Sequence, residues 1–244
     1  VIEVPPMKVA AVRYYRETTD GMRTLGEQWA TIADARLKHR LPVPKEPKAF
    51  APEAGKVDDV RLLCFTQPKL VTGTPRKTPE VMELRIGGGK MADRIAFANT
   101  KLGTEITVND FTHVGQMIDV AAVTKGHGIK GAVPRWGVKL QGHKDSKNRR
   151  DASPLGPFQP RFIRSMTVPM PGQMGYHNRT EYNKRILKIG TEGAEITPAG
   201  GVLPYGVVRT GHPLPHGITP GPPTRLTRLR EPPRRLRAEA AARL

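Results

Sequence analysis

Few residues of this 244-residue chain have types and spacings that could do chemistry, and most of those fail on detail. Gly87-Gly88-Gly89-Lys90 suggests a phosphate loop. That pattern also needs glycine where Leu84 stands and Ser or Thr where Met91 stands. The segment reads instead as a turn into a helix whose N-terminus could still meet a phosphate. His212 and His216 have the i, i+4 spacing of a zinc pair, but Pro213 and Pro215 forbid the helix that would align them, and no Glu follows His212. The serines are Ser146, Ser153 and Ser165, and none sits in a nucleophile elbow. Asp110 and Asp119 could pair in principle but read as solvated or capping carboxylates. Asn178-Arg179-Thr180 is a glycosylation sequon with meaning only on a secretory route. A single cysteine, Cys64, excludes an internal disulfide and a multi-cysteine metal site. The expectation is no catalytic residue, no metal and no cofactor.

The charge points elsewhere. The chain carries 40 Lys and Arg against 22 Asp and Glu, net +18. Residues 1–120 hold 18 basic and 15 acidic side chains, 121–190 hold 14 and 3, and 191–244 hold 8 and 4. The imbalance is therefore concentrated in the middle of the chain, where 14 − 3 leaves +11. Such a run can be a plain solvated face. A local excess of this size also repels itself unless a polyanion neutralises it, and a phosphate backbone does so through counterion release. Sparse planar groups are interleaved with the cations. Trp136 follows Arg135, Phe158 lies in Gly156-Pro157-Phe158-Gln159-Pro160, and Tyr176-His177 precede Arg179. Guanidinium groups bind phosphate and stack on bases, and rings stack on unpaired bases. Trp136 fits a barrel core as well as a base contact, and Tyr176 and His177 could equally brace a turn. No helix-turn-helix, zinc-finger or basic-zipper pattern is present, which favours RNA over DNA. Gly128-Ile129-Lys130-Gly131 fits the GxxG loop of a KH domain, but that loop should join two helices, and the residues before it read as strand.

The elements that must position these residues follow from periodicity. Val1–Val4 and Lys8–Tyr15 read as strands, broken by Pro5-Pro6. Leu25, Trp29, Ile32, Ala33 and Leu37 recur at helical spacing and predict a helix over about 25–40, ended by Pro42, Pro44 and Pro47. Val57–Phe65 and Val81–Ile86 are predicted strands. Met91, Ile95, Ala98 and Leu102 predict a second helix with Asp93 near its start. Met117–Val123 is a predicted strand, and the stretch from Gly126 to Gly131 a loop or glycine-kinked strand. From Lys139 to Gln159 periodicity is lost, which predicts a long extended loop. Arg161–Val168, Tyr182–Ile189 and Leu203–Arg209 are strand-like. A Pro/Gly-rich and then Arg-rich tail follows. Between Arg209 and Arg225 the longest uncharged stretch is broken by five prolines, so no window supplies the ~18 apolar residues of a membrane span. Many short strands with glycine corners predict a small β-barrel, and the two helices predict an attached α+β module.

Several stretches resemble one family. Val123-Thr124-Lys125-Gly126-His127-Gly128 and Arg135-Trp136-Gly137, then Leu155-Gly156-Pro157-Phe158-Gln159-Pro160, and Pro171 through Gly172-Gln173-Met174-Gly175-Tyr176-His177-Asn178-Arg179-Thr180, resemble the universal large-subunit ribosomal protein family number three. Order and spacing agree, and the Tyr-His-x-Arg-Thr ending is similar to the archaeal and eukaryotic branch. The match is most specific over 115–190. It extends to Val1–Met7, Glu80–Asp93 and Pro220–Leu226, and so to nearly the whole chain.

The resemblance implies a mainly β protein: a small Greek-key-like barrel of the translation-factor type with an α+β insertion and a long extended loop. The implied division is 1–20 and 114–244 for the barrel, its extension (about 141–164) and its Pro/Arg-rich tail, and 21–113 for the insertion. The implied function is a structural constituent of the large ribosomal subunit, in the cytoplasm, that binds large-subunit rRNA, supports assembly and extends a basic loop toward the peptidyl transferase centre. Partners would be rRNA and neighbouring ribosomal proteins, with no membrane and no DNA. A non-ribosomal RNA chaperone or assembly factor is the alternative.

The candidate phosphate ligands are Lys125, Lys130, Arg135, Lys139, Arg149, Arg150, Arg161, Arg164, Arg179, Lys184 and Arg185. Lys144 and Lys147 join Arg149 and Arg150 in the basic stretch at the base of the extension. Phe158, Trp136 and His177 would meet bases or brace the extension, and Gln173 would bond a base or backbone at a glycine corner. His127, His143, Tyr176, Arg225 and Arg228 complete the candidate RNA contacts. Three departures stand out. The family's tip aromatic is usually Trp, and here it is Phe158. Asp145 and Asp151 dilute the basic stretch. The family's basic N-terminal tail and first strand are missing before Val1, so the chain reads as partial and its barrel as incomplete.

Overall fold

The computed structural model describes residues 1–31, 36–44, 46–47, 50, 52–145, 148–150, 152 and 168–233. They fall into two compact units, one built on Val1–Met117 and Arg185–Gly217, the other on Ile118–Lys184 and Ile218–Arg235.

The first unit is organised by β1 (Met7–Thr18), which pairs antiparallel with β2 (Gly21–Trp29) and β3 (Asp59–Phe65). β4 (Val81–Arg85) extends the sheet to the order β2-β1-β3-β4, and β5 (Glu105–Ile106) pairs with the start of β1. β1 is buried on both faces because its residues between Val9 and Tyr14 are almost all small or β-forming. A register shift between Val9 and Ala11 lets Val9, Val12 and Tyr14 share one core with Val60, Leu62 and Cys64. Helix α1 (Met91–Lys101) covers that core with Ala98, Ile95 and Met91. Ala10 belongs to a second cluster with Leu37 and Phe65. Burial pushes the Cys64 thiol up to about 12, so this cysteine is packing rather than chemistry. The short α2 (Val108–Phe111) begins with a capping box in which Asp110 accepts from the Thr107 N–H at 2.9 Å, the capping role its sequence context suggested.

The helix expected over about 25–40 is replaced in its first part by β2. The two-residue turn at Thr19-Asp20, followed by Gly21 at φ +113°, closes a hairpin that outweighs the i, i+4 spacing of Leu25 and Trp29. Gly26 accepts the Phe50 ring so closely that an added Cβ would lie 2.6 Å from it. The strand expected over Leu203–Arg209 is also absent. Val202 and Gly206 exchange backbone hydrogen bonds across a tight turn, with Gly206 at φ +102°. In the same unit the Glu3 carboxylate accepts from the Arg209 and Thr210 amides, each at 3.0 Å, and from the Tyr205 hydroxyl. Burial works to raise Glu3, but these donors hold it below the usual carboxylate range.

The second unit contains β6 (Met117–Val123) from Ile118 onward, β7 (Gly126–Lys130), α3 (Ala132–Trp136) and β8 (Gly172–Gly175). It also holds the first half of β9 (Asn178–Gly190) and the short β11 (Arg228–Arg230), which pairs with β6. The later half of β9 belongs to the first unit, where it pairs with β10 (His212–Pro215). The sheets are antiparallel and open. Among the described residues none closes into a barrel, so the mainly β character holds without the closure. No described helix is long and apolar enough to cross a membrane.

Candidate RNA interface

The centre of the second unit is a two-stranded ribbon. β7 and β8 pair as Gly126↔Gly175, Ile129↔Gln173 and Lys130↔Gly172, with a bulge at His127-Gly128 where Gly128 takes φ +68°. Glycine is obligatory at 175, because a Cβ there would lie 2.0 Å from the Lys125 carbonyl oxygen. Tyr176 follows at φ +59°, a conformation that a bulky side chain adopts only where its surroundings enforce it. The ribbon buries no large side chain. Lys125, His127 and Lys130 stand exposed along it, and Ile129 is 80% exposed.

α3 positions Arg135 and Trp136 beside this ribbon. Arg135 donates Nη1–H to the Met170 carbonyl at 2.7 Å and Nε–H to the Gln173 carbonyl at 3.2 Å. Its guanidinium also stacks over the Trp136 ring at 5.2 Å and packs on Gly172. The Trp136 indole N–H donates to the same Met170 carbonyl at 2.9 Å, yet the residue remains 41% exposed. Trp136 is therefore braced at the surface, outside the buried core. The Gln173 amide donates to the Met174 and Gly175 carbonyls at 3.3 and 3.2 Å. The His177 amide donates to Thr124 Oγ1 at 3.1 Å, while the Thr124 amide donates to the His177 carbonyl at 2.9 Å. Thr124, Arg135, Trp136, Gln173, His177 and Arg179 come together around an open cleft of about 310 Å³.

The other candidates do not line this cleft. Arg225 stacks over Tyr176 at 5.4 Å. Arg228 is exposed on β11, and Lys139, His143 and Lys144 are exposed beyond α3. Arg149 Nε–H donates to the Gln141 carbonyl at 3.3 Å, and the Gln141 amide donates to the Arg149 carbonyl at 3.2 Å, which closes the loop at its base. Arg150 is exposed beside it. Lys184 pairs with Glu181 at 3.4 Å. Arg185 is exposed and belongs to the first unit. Lys147, Phe158, Arg161 and Arg164 lie outside the described residues, as does Asp151.

Asp119 is buried rather than solvated. It accepts from the Asn183 amide at 3.0 Å and from Arg230 Nε at 3.1 Å, and so ties β9 and β11 to β6. Sequence reasoning missed Met170, Thr124 and the Arg230–Tyr182 stack at 5.9 Å. Met170 acts through its backbone, which no side-chain pattern reveals. Tyr182 is 62% exposed in the strand-like run 182–189, a signal that could have been taken.

Comparison with known proteins bears on this surface. The model of the family "Ribosomal protein L3" matches residues 1–241. The chain is 50% identical over 238 residues to "Large ribosomal subunit protein uL3" of Archaeoglobus fulgidus, covering 95% of this chain and 71% of that protein. It is 48% identical over 240 residues to the protein of the same name from Methanospirillum hungatei, covering 94% and 71%. It is 45% identical over 237 residues to that of Methanococcus maripaludis, covering 94% and 70%. The match spans the ribbon, the cleft and both units, and the relatives agree with the archaeal-type ending at Tyr176–Thr180: the chain belongs to the ribosomal protein L3 family.

Proposed function

We propose that this protein is a structural constituent of the large ribosomal subunit, in the cytoplasm, that binds large-subunit rRNA and has no catalytic role. Family membership supports the reading, and the relatives carry the large subunit in their names. The observation that carries it on the molecule itself is the second unit's surface. Its cations are exposed, its aromatic rings are backed by arginine, and its backbone approaches closely through glycine. Cations set on a thin ribbon with little apolar cover suit a partner that supplies both negative charge and the missing contacts.

The mechanism is charge neutralisation with local stacking. Lys125, Lys130, Lys139, Lys144, Arg149, Arg150 and Arg179 meet phosphates. Tyr176, His177 and Trp136 meet bases or brace the backbone that does. The segment 141–164, carrying Lys147, Phe158, Arg161 and Arg164, reaches toward the peptidyl transferase centre. Neighbouring ribosomal proteins are further partners. The reading keeps the family's division into 1–20 with 114–244 and an inserted 21–113 module, with the strands of the former contributing to a barrel.

The test is equilibrium binding to archaeal large-subunit rRNA and to an unrelated folded RNA of equal length, across a salt series. A preference of roughly a thousandfold for rRNA at moderate salt is expected of a fixed site. Equal, steeply salt-dependent binding to both RNAs would replace this reading with a general RNA chaperone.

A further inference from the structure

We propose that the cleft between α3 and β8 holds one nucleotide of single-stranded rRNA, with its base on Trp136 and its phosphate at His177 and Arg179; this rests on the rRNA-binding reading above. At about 310 Å³ and open on one side, the space suits a small planar group with an attached phosphate and is far too small for a helix. Its described lining contains two arginines, a histidine and no carboxylate, so it favours an anion. An aromatic surface at the same place adds a second requirement, a flat apolar face. A nucleotide meets both.

The Trp136 ring is immobilised before any ligand arrives. Its edge is tied to the Met170 carbonyl at 2.9 Å, and the Arg135 guanidinium backs it at 5.2 Å. Arg135 is itself fixed by two carbonyls, at 2.7 and 3.2 Å. A stacking partner therefore meets a ring whose ordering cost has already been met by the fold. Arg135 thus acts as a positioning residue, and the phosphate contact falls to Arg179, which is exposed on β9. The Gln173 amide has both N–H groups directed at backbone carbonyls, at 3.3 and 3.2 Å, so what it offers a ligand is its oxygen. That acceptor suits the amino edge of a base. A base in a duplex cannot present its face to an indole, so the nucleotide must be unpaired.

The experiment binds the full chain to archaeal large-subunit rRNA, crosslinks with ultraviolet light, digests the RNA and maps nucleotide adducts by mass spectrometry. Adducts on the peptides holding Trp136 or His177 are expected. The double variant His177→Ala/Arg179→Ala is expected to weaken rRNA binding about tenfold and to lower the salt slope by about one contact. Both residues are exposed, so its melting temperature should match the parent's. Trp136→Phe should keep most affinity, whereas Trp136→Leu should lose it. Tight rRNA binding with adducts confined to other segments, and with the double variant binding like the parent, would overturn the nucleotide site and leave rRNA binding standing. Failure of the parent chain to prefer rRNA would overturn the reading beneath it.

Discussion

The two units use arginine differently. In the first, Arg13 meets Glu83 at 2.6 Å and Glu27 at 2.7 Å, and Arg61 and Arg85 meet the fully buried Asp59 at 3.1 and 2.9 Å. Burial works to raise Glu83, but hydrogen bonds from Arg13, Tyr15 and Arg61 hold it below its ordinary value. In the second unit Arg135 and Arg149 bond to backbone carbonyls, and Arg135 and Arg225 lie over Trp136 and Tyr176, while Arg230, over Tyr182, is the one of these that also meets a carboxylate, Asp119. A carbonyl or a ring orients a guanidinium without cancelling its charge, whereas a carboxylate cancels it. Arg13, Arg61 and Arg85 of the first unit are thus neutralised, whereas Arg135, Arg149 and Arg225 of the second are oriented but keep their charge. A surface built for a polyanion needs the second condition, since neutralised cations release no counterions from RNA.

The strongest way to separate the units applies the same steric insult to each. Gly193 and Gly175 both sit where a Cβ would lie 2.0 Å from a carbonyl oxygen, that of Val208 and that of Lys125 respectively. Either glycine changed to alanine must displace backbone, at a cost of about 3 kcal/mol. Gly193→Ala should lower the melting temperature and leave rRNA affinity per folded molecule unchanged. Gly175→Ala should distort the β7–β8 ribbon and weaken rRNA binding about tenfold or more. Equal loss of rRNA affinity in both variants, measured on folded protein, would erase the distinction.

A smaller effect is expected from charge alone. Arg149→Ala with Arg150→Ala should leave the melting temperature unchanged and lower the salt slope of rRNA binding by about two phosphate contacts. An unchanged slope would remove both from the phosphate ligands.

The contrast also shows what sequence could reveal. β6 and α1 were readable because their apolar periods agree with their tertiary neighbours. β2 was not, since Leu25 and Trp29 mimic a helix face and the deciding feature is the hairpin through Thr19-Asp20 with the long strand β1. At the interface the residue types of Trp136, Gln173, His177 and Arg179 were readable from family-like motifs. Their roles were not, because the Met170 carbonyl that fixes both Arg135 and Trp136 lies 34 residues away from Trp136 and leaves no sign in side-chain pattern. The Glu3 contact with Tyr205 is hidden for the same reason, being set by a separation of 202 residues.

Acid should weaken the first unit through Glu3. Its folded-state pKa is depressed, so the stabilisation is present above the ordinary glutamate value of 4.5 and is lost as pH falls through the lower folded value. Glu3→Gln keeps one acceptor oxygen for the Arg209 and Thr210 amides but no longer titrates. Thermal melts between pH 7 and pH 3 should show the parent losing stability over that window, and the variant losing less of it. Parallel pH profiles for the two proteins would show that Glu3 is not depressed.

The smallest expected effect on the free protein is at Phe158, in Gly156-Pro157-Phe158-Gln159-Pro160, outside the described residues. Its neighbours are polar or proline, so it has little local apolar surface to join. If it belongs to the RNA-facing extension, Phe158→Ala should change the stability of the free chain by less than about 0.5 kcal/mol, as exposed substitutions do. The same substitution should still impair incorporation into large subunits, because base stacking on an aromatic contributes about 1–3 kcal/mol only when the RNA is present. Phe158→Trp, which keeps an aromatic face at this position, should incorporate at least as well as the parent. A drop of several degrees in the melting temperature of free Phe158→Ala would instead assign Phe158 to a core, and the division between neutralised arginines and an RNA-completed surface would then fail at the segment where it matters most.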